Sequence, residues 1–173
     1  AYKAAVRVNP RFALGHFQLA ELYHRQLDFS NAESAYRQAI EAEPKFADAY
    51  NNMGNLFYEQ GEADKAIMFY KKAIDARHDD PEFRYNLGLA YYKAGKIDEA
   101  IASYRQATNL DPQYAQAYNN LGVALGRKGQ ADEMLEAFEK ASQLDSKYVD
   151  AHFNLGLAYF NVRRYDDAIN KFN

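Results

Sequence analysis

The 173-residue chain has no cysteine and no tryptophan, only four prolines and four histidines, and no long apolar run. Without cysteine, neither a disulfide framework nor thiol chemistry is available, although this does not fix a compartment. No stretch approaches the roughly 20 apolar residues that cross a bilayer, so membrane insertion is not expected. No signal-peptide pattern heads the chain and no Asn-x-Ser/Thr acceptor occurs in it, so an intracellular setting is expected over a secreted one. Charge is close to balanced, with 24 acids against 21 scattered bases and a net charge of −3. Phosphate backbones require a concentrated basic stripe, so nucleic acid is not an expected partner. The histidines do not cluster: His16 and His152 lie far apart, and His24 and His78 stand alone. No metal-ligand spacing, glycine-rich phosphate loop, nucleophile elbow or paired-carboxylate setting is present. Neither a cofactor nor a catalytic residue is expected in this segment, whatever enzyme it belongs to.

What the chain has in quantity is repetition. The phrases GHFQLAELYHR from Gly15, AYNNMGNLFYE from Ala49, FRYNLGLAYYK from Phe83, AYNNLGVALGR from Ala117 and AHFNLGLAYFN from Ala151 recur every 34 residues. Between them Pro10, Pro44 and Pro112 mark one slot, which His78 and Ser146 fill in the other units. A fixed period of this length signals stacked supersecondary units rather than one globular core. With 48% hydrophobic residues, 15 Tyr and 11 Phe, there is ample apolar surface to bury between them. The expected organisation is a single array over 1–173: a partial unit at 1–12, full units at 13–46, 47–80, 81–114 and 115–148, and a partial unit at 149–173. The chain begins and ends in mid-phrase, as an excised piece of a longer array would.

Each unit carries two apolar stripes at helical spacing, as in Tyr50, Met53, Phe57 and then Ala66, Phe69, Tyr70, Ala73. Gly61, Gly95 and Gly129 separate the stripes, where a left-handed C-cap suits glycine. Leu27 and Arg163 hold that slot in the outer units and predict differently shaped turns. Asp64, Asp98, Asp132 and Asp166 follow, favoured by the macrodipole in the first turn of a second helix. Small residues recur at Ala20, Gly54, Gly88, Gly122 and Gly156, and again at Ala32, Ala66, Ala100 and Ala168. Alternation with large residues lets helices approach closely. Met134 interrupts the second series and predicts local spreading of the helices around it.

These residues resemble the tetratricopeptide repeat (TPR) family, whose 34-residue pattern sets a large opening aromatic, Leu-Gly, Tyr, Ala, Phe or Tyr, Ala and Pro at fixed offsets. The resemblance runs through the whole chain. It departs at the opening position, which is His16, Tyr50, Arg84, Tyr118 and His152, and at His78 and Ser146 in the proline slot. It implies an all-α fold, a right-handed superhelical solenoid of antiparallel helix pairs with first helices inside. It also implies a protein–protein interaction scaffold that binds an extended peptide or a partner helix in its concave groove. Where the carboxylate clamp of chaperone-binding members places cations, this chain has Phe17, Asn51, Tyr85 and Glu82, so an acidic chaperone tail is not an expected ligand.

Read onto this sequence, the groove positions of that architecture give Asn52, Asn86, Asn120 and Asn154, with Gln18 in the first unit. Around them lie Asn51, Asn55, Tyr85, Asn119, Phe153 and Tyr92. An asparagine amide both donates and accepts, so it suits a peptide backbone. Helix layers roughly 10 Å apart would present one asparagine to about every third residue of an extended strand. The series is similar to the asparagine ladder in the repeat region of the O-linked N-acetylglucosamine transferases. That similarity implies an alternative function, the substrate-recognition arm of a glycosyltransferase whose catalytic domain lies outside this segment. The same asparagines also fit a structural role, bonding a neighbouring helix, and both readings stand at this point. At the rim, Asp48, Glu82 and Asp150 either complement helix dipoles or bias the groove toward Lys and Arg. Apolar faces at the two ends, Tyr2, Ala5 and Val6 at one and Tyr165, Ala168, Ile169 and Phe172 at the other, suggest end-to-end self-association.

Overall fold

In the computed structural model, the apolar stripes become helices whose starts keep the 34-residue interval. The structure describes residues 12–172, with side chains through Asn170. The first helices, each of 13 residues, are α1 (Ala13–Arg25), α3 (Ala47–Glu59), α5 (Pro81–Lys93), α7 (Ala115–Arg127) and α9 (Val149–Asn161). The second helices are α2 (Phe29–Ala42), α4 (Ala63–Ala76), α6 (Ile97–Leu110), α8 (Ala131–Leu144) and α10 (Tyr165–Phe172). The fold is all-α, made of consecutive antiparallel helix pairs with no strand among the described residues. The chain divides between Asp79 and Asp80 into two compact units. The first holds α1–α4 and the second α5–α10.

Helix ends follow local chemistry. Asp28 caps α2 by accepting the Asn31 N–H at 3.2 Å, and Asp80 caps α5 by accepting the Glu82 N–H at 3.0 Å, with Pro81 in the first turn. Acidic side chains occupy the first turns of α4, α6, α8 and α10. The link inside each pair is a left-handed turn, and here the sequence expectation needs correcting. Leu27 and Arg163, at φ 58° and 63°, adopt the same conformation as Gly61, Gly95 and Gly129 at 81°, 76° and 78°. Hydrogen bonding enforces it. The Asp28 N–H reaches the Tyr23 carbonyl at 2.9 Å and the Arg164 N–H the Tyr159 carbonyl at 2.8 Å, as Glu62 reaches Phe57 at 2.9 Å. Carbonyls that the helix end would otherwise orphan are satisfied. That gain offsets the roughly 1–2 kcal/mol an L side chain costs in this region.

Close helix approach depends on one repeated contact. A Cβ added at Gly54, Gly88 or Gly122 would lie 2.5, 2.6 or 2.7 Å from a ring carbon of Tyr70, Tyr104 or Phe138. Each ring comes from the second helix of the same pair and is buried. In the first unit these contacts join Met53, Leu56 and the stacked pair Phe57–Phe69, whose centroids are 5.3 Å apart. In the second unit Tyr104 packs with Leu121 and Leu125, and Phe138 with Leu155 and Tyr159.

Met134, which interrupts the small-residue series, lies beside a slot that is itself small. Gly126 stands where the other pairs carry Tyr58, Tyr92 and Phe160. A Cβ on Gly126 would lie 2.9 Å from the Met134 sulfur. Bulk has moved from one slot to the next, and Met134 packs against both core clusters of the second unit.

Gly88→Ala is expected to destabilise the chain by about 1–3 kcal/mol, because the Tyr104 ring is enclosed and cannot retreat. Gly126→Ala should cost less, since its new methyl meets the free end of a flexible thioether. Urea unfolding midpoints of the two variants test the order; equal loss would mean that ring seating does not limit helix approach.

Candidate peptide-binding face

The first helices carry every candidate peptide-binding residue named from the sequence. Asn51, Asn86 and Asn119 are buried, at 4%, 9% and 4% exposure. Asn52, Asn55, Asn120, Asn154, Tyr85 and Tyr92 are half-buried, and Phe153 is exposed. The series that looks uniform in sequence therefore holds two kinds of site: amides enclosed between helices and amides at the surface.

In the second unit the amides form a chain of hydrogen bonds across three first helices. Asn154 Nδ2 on α9 donates to Asn119 Oδ1 on α7 at 2.9 Å. Asn119 Nδ2 lies 3.4 Å from Asn120 Oδ1, and Asn120 Nδ2 donates to the Tyr85 hydroxyl on α5 at 2.9 Å. Each donor polarises the next, which strengthens a chain in a low-dielectric setting. In the first unit Asn52 bonds the Tyr36 hydroxyl, and Asn55 Oδ1 accepts the Tyr70 hydroxyl at 2.7 Å. The amide nitrogens of Asn120 and Asn154 are thus tied to the preceding first helix.

A second regularity escaped the sequence reading. In three of the repeats the residue before the ladder position packs on the aromatic that precedes the next first helix, 29 residues on. Phe17 meets Phe46 with ring centroids 4.9 Å apart, Tyr85 meets Tyr114 at 5.0 Å, and Asn119 bonds the Tyr148 hydroxyl. Apolar faces apolar and polar faces polar. The constant spacing was the available signal, but Phe46, Tyr114 and Tyr148 look like linker residues until the helices stack. Burial pushes the hydroxyls of Tyr36, Tyr114 and Tyr148 above the ordinary tyrosine range, with nearby acidic groups adding to the shift at each.

At the rim Asp48 is ion-paired with Arg77 at 2.6 Å. The Arg127 guanidinium lies over the Tyr92 ring at 5.3 Å. Among the described residues no group of His, Asp and Glu is placed to hold a metal ion, and no described helix is long and apolar enough to cross a membrane.

Comparison with known proteins agrees with this architecture. A family model described as TPR repeat matches residues 28–61, 54–95, 90–129 and 127–162. No curated protein sequence matches significantly. Among solved structures, YrrB, a TPR protein with an unusual peptide-binding site, is similar with a TM-score of 0.82 and 24% identity over 99% of this chain and 88% of that one. MamA is similar with a TM-score of 0.83 and 27% identity, over 89% of this chain and 90% of that one. Pseudomonas aeruginosa pilF gives 0.83 and 22% identity, over 92% and 73%.

Because Asn119 links three partners, Asn119→Ala should cost about 1–3 kcal/mol, the usual penalty for stranding enclosed polar groups. Asn154→Ala, at the end of the chain, should cost less, and the double variant should fall short of the sum. Additive losses in urea unfolding would show that the bonds act separately.

Proposed function

The chain belongs to the TPR-repeat family, and from that premise we propose that the face of its first helices receives an extended segment of a partner protein. At the coarser level the protein is an interaction scaffold. The finer reading rests on one observation: Asn120 and Asn154 keep their amide nitrogens on the preceding helix while standing half-exposed. The Asn154 carbonyl oxygen, and the second lone pair of the Asn120 carbonyl that already faces Asn119 Nδ2, then serve as acceptors for backbone N–H groups of a bound strand. This is a one-sided grip, narrower than the bidentate one an isolated amide offers. In the second unit Tyr92 and Phe160 supply rings for apolar side chains, and Asn86, Tyr85 and Phe153 complete the proposed face, with Asn119 bracing it from within; in the first unit Asn52 and Asn55, with Asn51 beneath, offer a face of their own. A partner helix laid on the same rings is a variant of the same site. The glycosyltransferase-arm alternative draws only on the asparagine spacing, and amides tied up within the fold lend it no added weight.

A photoreactive benzoylphenylalanine replacing Tyr92 is expected to capture a partner from lysate. Asn52, Asn86, Asn120 and Asn154 all changed to Ala should abolish that capture in a chain that circular dichroism shows to be folded. Unchanged capture by the folded variant would remove the asparagines from the site.

Self-association is a second reading, favoured by exposed rings on α9 and α10. Phe153, Phe160 and Tyr165 are 57%, 56% and 50% exposed, and Ile169 58%. The Tyr2, Ala5, Val6 and Phe172 side chains expected to take part lie outside the described residues. Light scattering should give a mass that rises with concentration and falls back in a Phe153→Ser, Phe160→Ser variant; a constant monomer mass would remove this reading.

A further inference from the structure

The two units treat the rim of the first-helix face differently. In the first, Asp48 is ion-paired within its own repeat to Arg77 at 2.6 Å. The second unit places acids at both positions: Glu82 and Asp150 stand where Asp48 does, and Asp111 and Asp145 where Arg77 does. Glu82, Asp145 and Asp150 are exposed and Asp111 is half-buried, and among the described residues none of these four joins an ion pair. Asp111 and Asp145 each accept a backbone N–H two residues on, at 2.9 Å. The carboxylates gather around two linker tyrosines. Burial raises the Tyr114 hydroxyl, with Tyr85, Glu82, Asp111 and Asp80 adding to it, and burial, Asp150 and Asp145 raise that of Tyr148. Lys147 is the one cation on the linkers 111–114 and 145–148. Arg84 lies two residues from Glu82, off its side of the helix, and donates to Gln106 at 2.9 Å.

Beyond the rim the face is apolar. Leu89, Val123 and Leu157 follow the rim position by seven residues on α5, α7 and α9, with Tyr92 and Phe160 nearly a turn further on two of these helices. Leu157 and Phe160 are 45% and 56% exposed, and Leu89, Val123 and Tyr92 are half-buried. Lys93 and Arg127 stand at the far end, eleven residues from the rim. At 1.5 Å per residue that is about 16 Å, roughly twice the screening length of physiological salt, so these cations do not neutralise the rim. The face has an acidic edge, an apolar floor and a basic far edge, and this order of charge directs how a ligand lies on it.

We propose that the second unit selects an extended partner segment with Lys or Arg at every third residue and an aliphatic residue beside each. This rests on the reading of α5, α7 and α9 as a peptide face and names the class of its ligand. Charge complementarity decides the occupant: four carboxylates against one lysine on the rim attract a basic segment and repel an acidic one. The Tyr114 and Tyr148 clusters are one repeat apart, roughly 10 Å for stacked helix layers. A polyproline-type chain returns to the same side at each third residue, after about 9 Å. One side of such a chain brings its cations to successive clusters, and the next lays aliphatic side chains on Leu89, Val123 and Leu157.

The probe is the N-acetylated, C-amidated hexapeptide Lys-Leu-Ala-Lys-Leu-Ala, titrated to millimolar concentration into the nitrogen-15-labelled chain. Backbone amide signals of α7 and of the linkers before α7 and α9 should move saturably in NMR spectra, while those of α2 and α4 stay fixed. The Gln-Leu-Ala-Gln-Leu-Ala peptide should move the same signals with about tenfold weaker affinity, the strength of two exposed ion pairs. A variant with Glu82→Gln, Asp111→Asn, Asp145→Asn and Asp150→Asn keeps the turn acceptors and should bind both peptides equally. Circular dichroism checks that it is folded. Equal affinity of the two peptides for the native chain, or an undiminished preference in the folded variant, overturns the ligand class and leaves the peptide face standing. If neither peptide moves a signal on α5, α7 or α9, the face falls with it.

Discussion

The close seating of a second-helix ring on a first-helix glycine is the contact on which the rest of the structure depends. Where Tyr70, Tyr104 and Phe138 meet Gly54, Gly88 and Gly122, there is no room for a single added carbon. That contact sets how near the two helices of a pair stand, and so which side chains reach across to the next pair. Ladder asparagines bond across first helices only because the helices are held at a fixed spacing. The exchange of bulk between Gly126 and Met134 shows the same constraint: one slot enlarges only where its neighbour shrinks.

The asparagines have two employments. Asn119 is enclosed and joins α9 to α7, whereas Asn120 and Asn154 stand at the surface with their N–H groups committed. Structural bonding takes the donor of each of these amides, and at Asn120 it also engages the acceptor.

Much of the fold was legible because the physics that shapes it is local. Apolar spacing marks a helix face, acids mark a first turn, and Gly61, Gly95 and Gly129 mark left-handed turns. The same local reasoning misjudged Leu27 and Arg163, whose side chains argue against that conformation while the chain on either side demands it. It also left open whether the asparagines bond a ligand or a neighbouring helix. Exposure depends on which helix packs next, and Asn51 and Asn52 differ in burial although they are adjacent in sequence.

The sequence by itself determined the period, the helices and the pairing, since these follow from the spacing of apolar and small residues along one segment. Tertiary structure alone decided which amides are spent inside the fold, and that Phe46 and Tyr114 are packing residues. Those outcomes depend on distances between residues of different helices. Side-chain chemistry sets what a group is able to bond, and only the packed neighbour sets what it has left to offer.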